Sequence, residues 1–318
     1  NNKNQSVKKA ISYDDELRRK DLLSLKEISK DEEHHVLKDN LVIKKNLHLA
    51  KDKSLIIKKG VEIYFKEDVS ILSEGSIFFD GTEKEPIIIF SSDKIGSLIL
   101  SNNLYELNNV IFKNLSYPKN KEKILHGGIN IINSNIKIKN TKIISSNSED
   151  AINIISSNSN INNLELQNIS ADGIDIDFGT LDFKNISCKN ISNDCLDVSA
   201  AKVNGSKLIG NNIKDKGLSF GENSSGKITD INFQYSKLGV AVKDGSKLRL
   251  TRYLLKNNQY DVAVFNKKKE YDGAILKINN SVQKNELNYL IGTNNFIFKD
   301  ELVLTKIIDN KIINQIFY

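Results

Sequence analysis

Histidine is nearly missing from this chain, and where it is missing matters. The 318 residues hold four, His34, His35, His48 and His126. All four precede the repeated stretch described below, so that stretch has no histidine to offer as a general base. Cysteine is scarcer still. Cys188 and Cys195 are the only two, and their positions in the repeat differ, which reads as two free thiols with a disulfide as the open alternative. Asp194 and Asp197 flank Cys195 and disfavour its thiolate, which argues against a nucleophile there. No apolar run is long enough for a transmembrane helix. No secretion signal is visible and the chain begins at Asn1, so a fragment or processed form of a larger surface protein is expected. Prolines number two and aromatic residues make up 7%. The hydrophobic fraction of 39% still suffices for a core, built mainly of Ile, Leu and Val. The net charge of +6 comes from lysines scattered along the chain. Without an aromatic-interleaved basic patch, that excess reads as a solvated face and not as a nucleic-acid footprint.

What the chain does have is a period. The blocks Asp150-Ala-Ile-Asn153, Asp172-Gly-Ile-Asp175, Asp194-Cys-Leu-Asp197, Lys216-Gly-Leu-Ser219 and Leu238-Gly-Val-Ala241 start 22 residues apart. A fixed step near twenty residues marks a solenoid. Ile152, Ile174, Leu196, Leu218 and Val240 form one apolar column, and Ile154, Ile176, Val198, Phe220 and Val242 form another. Residues two apart share a face of a strand, so both columns point inward, and Val262 and Val264 extend them. The positions between point outward: Asn153, Asp175, Asp197, Ser219 and Ala241, then Ile155, Asp177, Ser199, Gly221 and Lys243. Ser146, Asn168, Asn190, Asn212 and Gln234 recur four residues before each block and suggest a ladder of side chains at a turn. With no helix between the strands, the expected fold is all-β, a right-handed parallel β-helix solenoid with a short N-terminal helical cap.

In chain order, residues 1–35 are expected to form that helical cap, since Leu17, Leu22, Leu23, Leu25 and Ile28 lie at roughly helical spacing. Residues 36–290 read as the β-helix, entered through alternating runs such as Leu41-Val-Ile43 and Val61-Glu-Ile-Tyr-Phe65. Tyr117–Lys123 reads as a loop overhanging one face. Residues 291–318 read as a closing coil or cap.

Neighbouring strands lie about 4.8 Å apart, which puts Asp175 beside Asp197 and Asp172 above Asp194. Like charges so placed destabilise a sheet, and aspartate in mid-strand is disfavoured. Something must compensate: lysine, a cation, or a shared proton. The candidate catalytic residues are therefore Asp175, Asp177, Asp197, Lys216 and Lys243. Asp172, Asp194, Asp215, Glu222 and Asp244 are candidates for binding substrate. Calcium is the candidate cation, on Asp175, Asp177 and Asp197. For the aspartates that open strands, the competing role is to accept hydrogen bonds from turn amides.

Taken together, Lys51-Asp-Lys-Ser-Leu-Ile-Ile-Lys-Lys-Gly-Val-Glu-Ile-Tyr-Phe65, Asp215-Lys-Gly-Leu-Ser-Phe-Gly-Glu222 and Gly239-Val-Ala-Val-Lys-Asp244 resemble bacterial right-handed parallel β-helix proteins of the pectin-lyase-like superfamily. The later blocks resemble β-helix domains that accompany CotH-like kinase modules. The resemblance implies action on acidic polysaccharides by residues of an outer sheet face, as lyase, epimerase or hydrolase. The Gly-His-Gly element of the pectin hydrolases has no counterpart here. The leading expectation is a lyase or epimerase on a uronic-acid polymer, outside the cell or at its surface. The other expectations are a non-catalytic surface module that binds glycan or protein, and a purely structural solenoid.

Overall fold

The computed structural model describes residues 19–31, 34–118, 125–282, 286–300 and 302–318. The chain forms two compact units, Asn1–Asn153 and Ile154–Tyr318. Among the described residues strand is the dominant structure, wound into about 12 turns of a parallel β-solenoid, with one short helix, Asn310–Phe317 (α1).

In the first unit, Leu47, Ile71, Leu98 and Ile129 stand in register on successive coils, in steps of 24, 27 and 31 residues. The alternation Leu41 in, Val42 out, Ile43 in marks each strand, but the uneven steps leave no fixed period. Leu22, on a 3₁₀ turn of three residues (Leu22–Ser24), is buried beside Leu37, Leu41 and Leu55. That turn is all the helix the described residues of the expected cap contain. Leu22, Leu25 and Ile28 follow at a spacing of three because the chain turns twice there. Leu25 N–H donates to the Leu22 carbonyl at 3.3 Å and Ile28 N–H to that of Leu25 at 3.1 Å. Ile28–Lys30 then pairs antiparallel with His35–Leu37. The rest of the expected cap, 1–18, and most of the Tyr117–Lys123 loop lie outside the described residues.

In the second unit the 22-residue columns hold. Ile174 is in register with Leu196, then Leu218, Val240 and Val262, and Ile176 with Val198, Phe220, Val242 and Val264. All ten are fully buried. Asn168, Asn190 and Asn212 form a ladder at one corner, each later amide donating to the one before at 2.9 and 2.8 Å. All three have φ between 57° and 59°, the left-handed region that asparagine tolerates best after glycine. Gln234 does not continue them. The strands 202–221 and 225–243 run one residue out of step, Asn211 facing Gln234, until the register recovers at Lys216 and Leu238. Tyr235 takes the left-handed corner instead. A second ladder, Asn185 donating to Asn163 at 2.6 Å, escaped the sequence reading because its corner soon gives way to Lys207.

Two further expectations need correction. Cys188 and Cys195 are not free thiols; they form a disulfide. Their positions differ because the chain turns a corner between them, and the turn brings both side chains into the interior. Ala241 and Ser219 leave the solenoid core as expected yet are fully buried. Helix α1, capped by Asp309, which accepts the Lys311 N–H at 2.8 Å, lays Ile313 and Phe317 against Leu238, Ala241, Ala263 and Phe265.

Candidate functional site

The strip that the period predicts lies in the second unit. Register places Asp175 beside Asp197, Asp197 beside Ser219, and Ser219 beside Ala241. Asp177 stands opposite Ser199, two residues further along. Asp175, Asp177 and Asp197 are all half-buried.

The strand-opening aspartates serve the backbone first. Asp172 Oδ1 accepts the Asp194 N–H at 2.7 Å and Asn193 Nδ2 at 2.8 Å. Asp194 Oδ1 accepts the Lys216 N–H at 2.9 Å. Each carboxylate therefore satisfies an amide of the next coil, the role expected of a turn aspartate.

Lys216 changes the character of this column. It is 3% exposed, and its Nζ lies 3.4 Å from Asp194 Oδ1 and in direct contact with Asp215 Oδ2. Lys237 approaches the other Asp215 oxygen at 3.8 Å. Lys243, 7% exposed, lies across Gly221 and donates from Nζ to the Tyr318 hydroxyl at 3.3 Å. The Tyr318 ring gathers three ammonium groups, with Lys267, Lys216 and Lys243 at 3.7, 5.0 and 5.9 Å from its centroid. An aromatic face attracts cations in this way through its quadrupole.

The electrostatics divide the lysines. Burial works against the charge on Lys216, but Asp194, Tyr318 and Asp215 outweigh it and raise its pKa. Burial likewise opposes the charge on Lys243, and Asp197, Tyr318 and Asp194 prevail over it and over Lys216. Both remain ammonium groups. Lys267 goes the other way: desolvation, then Lys243 and Lys216, push its pKa down. Burial pushes Asp194 well above the usual carboxylate range. Lys216 opposes this, and Asp197, Asp172 and Asp215 add to it.

Asp244 and Glu222 act on the loop that follows the next coil. Asp244 Oδ1 accepts the N–H groups of Lys267 and Lys268 at 2.7 and 2.8 Å, and Glu222 pairs with Lys268. The strip thus joins Asp172, Asp194, Asp197, Asp215, Lys216 and Lys243 into one group, with Asp175 adjacent through the sheet. Tyr318, Lys237 and Lys267 were missed in the sequence. Tyr318 and Lys267 lie outside the 22-residue frame.

No family model and no curated protein matches the chain. Among solved structures, an alginate lyase from Paenibacillus sp. str. FPU-7 is similar at 11% identity and a TM-score of 0.37, over 82% of this chain and 93% of that one. The periplasmic alginate epimerase AlgG is similar at 9% identity and a TM-score of 0.35, over 88% and 83%. Neither likeness bears on the resemblance to domains that accompany CotH-like kinase modules.

Proposed function

We propose that this protein acts on a uronic-acid polysaccharide at the strip around Lys216 and Lys243, abstracting the proton beside a sugar carboxylate. The observation that carries the reading is the pair of buried ammonium groups. Two cations withdrawn from water are costly unless paired, and groups held in this way cluster at functional sites. Proton abstraction beside a carboxylate needs positive charge to stabilise the electron pair left behind, and Lys216 and Lys243 supply it. It also needs a base whose pKa has come down toward neutrality. Lys267 is the lysine whose surroundings push it that way. After abstraction, the carbanion either expels the neighbouring sugar's glycosidic oxygen, which takes up a proton as the double bond forms, or regains a proton on the opposite face. The first outcome is a lyase and the second an epimerase.

In this reading the substrate carboxylate replaces the Tyr318 ring over the ammonium groups. Asp175, Asp177 and Asp197 offer oxygen ligands for calcium beside it. The disulfide supports an oxidising compartment outside the cytosol.

The test incubates the full chain with a panel of uronic-acid polymers and follows unsaturated ends and sugar stereochemistry. Product that disappears in folded Lys243→Met and Lys267→Gln variants supports the reading; product that survives both removes it. A second reading is favoured by α1, which covers one end of the strip: a non-catalytic module that holds glycan without changing it. Binding without product across the panel would select it.

A further inference from the structure

Helix α1 has a second neighbour. Between it, the loop at 266–273 and the turn at 293–294 lies an open cleft of about 560 Å³, within the usual range for ligand sites. None of its lining residues was among the sequence candidates, and none belongs to the repeat.

Its floor is built and fixed. The Asn266 side chain donates to the carbonyls of Tyr271 and Asp272, both at 2.8 Å, and accepts from Asn295 Nδ2 at 2.8 Å. The Asn266 N–H donates to Asn310 Oδ1 at 2.9 Å, and its carbonyl accepts Asn314 Nδ2 at 2.9 Å. Loop and helix are thus tied together through one residue, and Asp244 holds the loop from below through the N–H groups of Lys267 and Lys268. A site so pre-organised loses less entropy on binding.

Its walls then define the chemistry. Lys267, Lys269 and Lys311 line it against a single carboxylate, Asp272. Tyr271 adds a ring, the kind of flat apolar surface on which a sugar can rest. Asn294, Asn310 and Asn314 add amide residues to the lining. Cations, a ring and amide residues match a ligand that is both hydroxylated and acidic.

We infer that this cleft binds a short acidic oligosaccharide, with Lys269 and Lys311 pairing its carboxylates. The inference rests on the reading above for its substrate class and gives that reading a second binding site. Lys267 belongs to both sites, since its ammonium lies on the Tyr318 ring and its residue lines the cleft.

The test is calorimetric titration of the full chain with a uronic-acid tetrasaccharide, with the neutral tetrasaccharide made by reducing its carboxyls, and with inorganic phosphate. The acidic sugar should bind at least tenfold more tightly than the neutral one. The Lys269→Gln/Lys311→Gln double variant, altered at two exposed positions, should lose at least tenfold of that affinity. Equal affinity for both sugars, an unchanged double variant, no binding by the wild type, or displacement by equimolar phosphate would each overturn the inference. Product formation is followed on the same samples. Product with no titratable cleft binding removes the cleft and keeps the activity. Cleft binding lost in the double variant, with no product from any polymer, keeps the cleft and removes the activity.

Discussion

A side chain at residue 221 would collide with Lys243, since a Cβ built on Gly221 lies 2.9 Å from its Cε and 3.3 Å from its Cγ. Those are atoms of a flexible chain, so Gly221→Ala should leave the fold intact and push the ammonium off Tyr318. If the strip is catalytic, kcat/KM should fall about tenfold or more while the melting temperature moves little. Parallel kinetics and thermal denaturation check this. Asp244 permits a prediction about pH. Burial raises its pKa although two amides donate to it, and its Oδ2 is buried without a hydrogen-bond partner among the described residues. A carboxyl whose folded pKa is raised binds its proton more readily in the native state. Its contribution to stability is complete below the unfolded value of about 3.9 and is lost as pH rises through the folded pKa. Asp194 and Asp261 shift the same way. The stability contributed by these groups should therefore grow as pH falls from neutral toward 4. Asp244→Asn should weaken that dependence, as urea titrations at several pH values would show.

At the scale of elements, α1 and the disulfide are the parts least legible in the sequence, for different reasons. The residues of α1 have an apolar face, but the surface it covers, Ala241 and Ala263, is defined only by coils far back in the chain. Ending the chain after Asp309 would expose that surface. Losing Ile313 and Phe317 from it should cost about 4 kcal/mol, from roughly 2 kcal/mol per buried large side chain. Lys216 and Lys243 should then become reactive toward acylating reagents, which mass spectrometry can locate; unchanged reactivity would mean that α1 does not shield them. The cysteines were misjudged because a repeat frame compares equivalent positions on different coils, whereas Cys188 and Cys195 meet around one corner of a single coil. Replacing both with alanine should cost about 2–3 kcal/mol, in the usual range for a disulfide. Denaturant unfolding under non-reducing conditions measures it. By contrast, the asparagine ladder was readable up to Asn212, because a left-handed corner selects its residue locally. It failed at Gln234, where a single extra residue in one strand shifts the register without disturbing the apolar pattern.

At the scale of the whole molecule, the two units differ in how openly they declare themselves. From Ile154 onward the step of 22 makes the columns visible by subtraction, and inward positions such as Leu196 and Val240 stand where the count puts them. Before Asn153 the coils vary in length, so each strand can be recognised by its alternation but not aligned with the next. The candidate site was half legible. Its carboxylates and its two buried lysines lie inside the count, while Tyr318 and Lys267 reach it from segments outside. The outward column also has unlike ends. It passes from Asp175 and Asp197 through Ser219 to the methyl groups of Ala241 and Ala263, where α1 closes it. A linear polymer has unlike ends too, and a strip stopped at one end can admit only one of them. Should the strip cut its substrate, it ought to trim from a terminus and release short pieces of uniform length from the first minutes. A broad ladder of fragments on size-exclusion chromatography would show instead that the chain enters from the side.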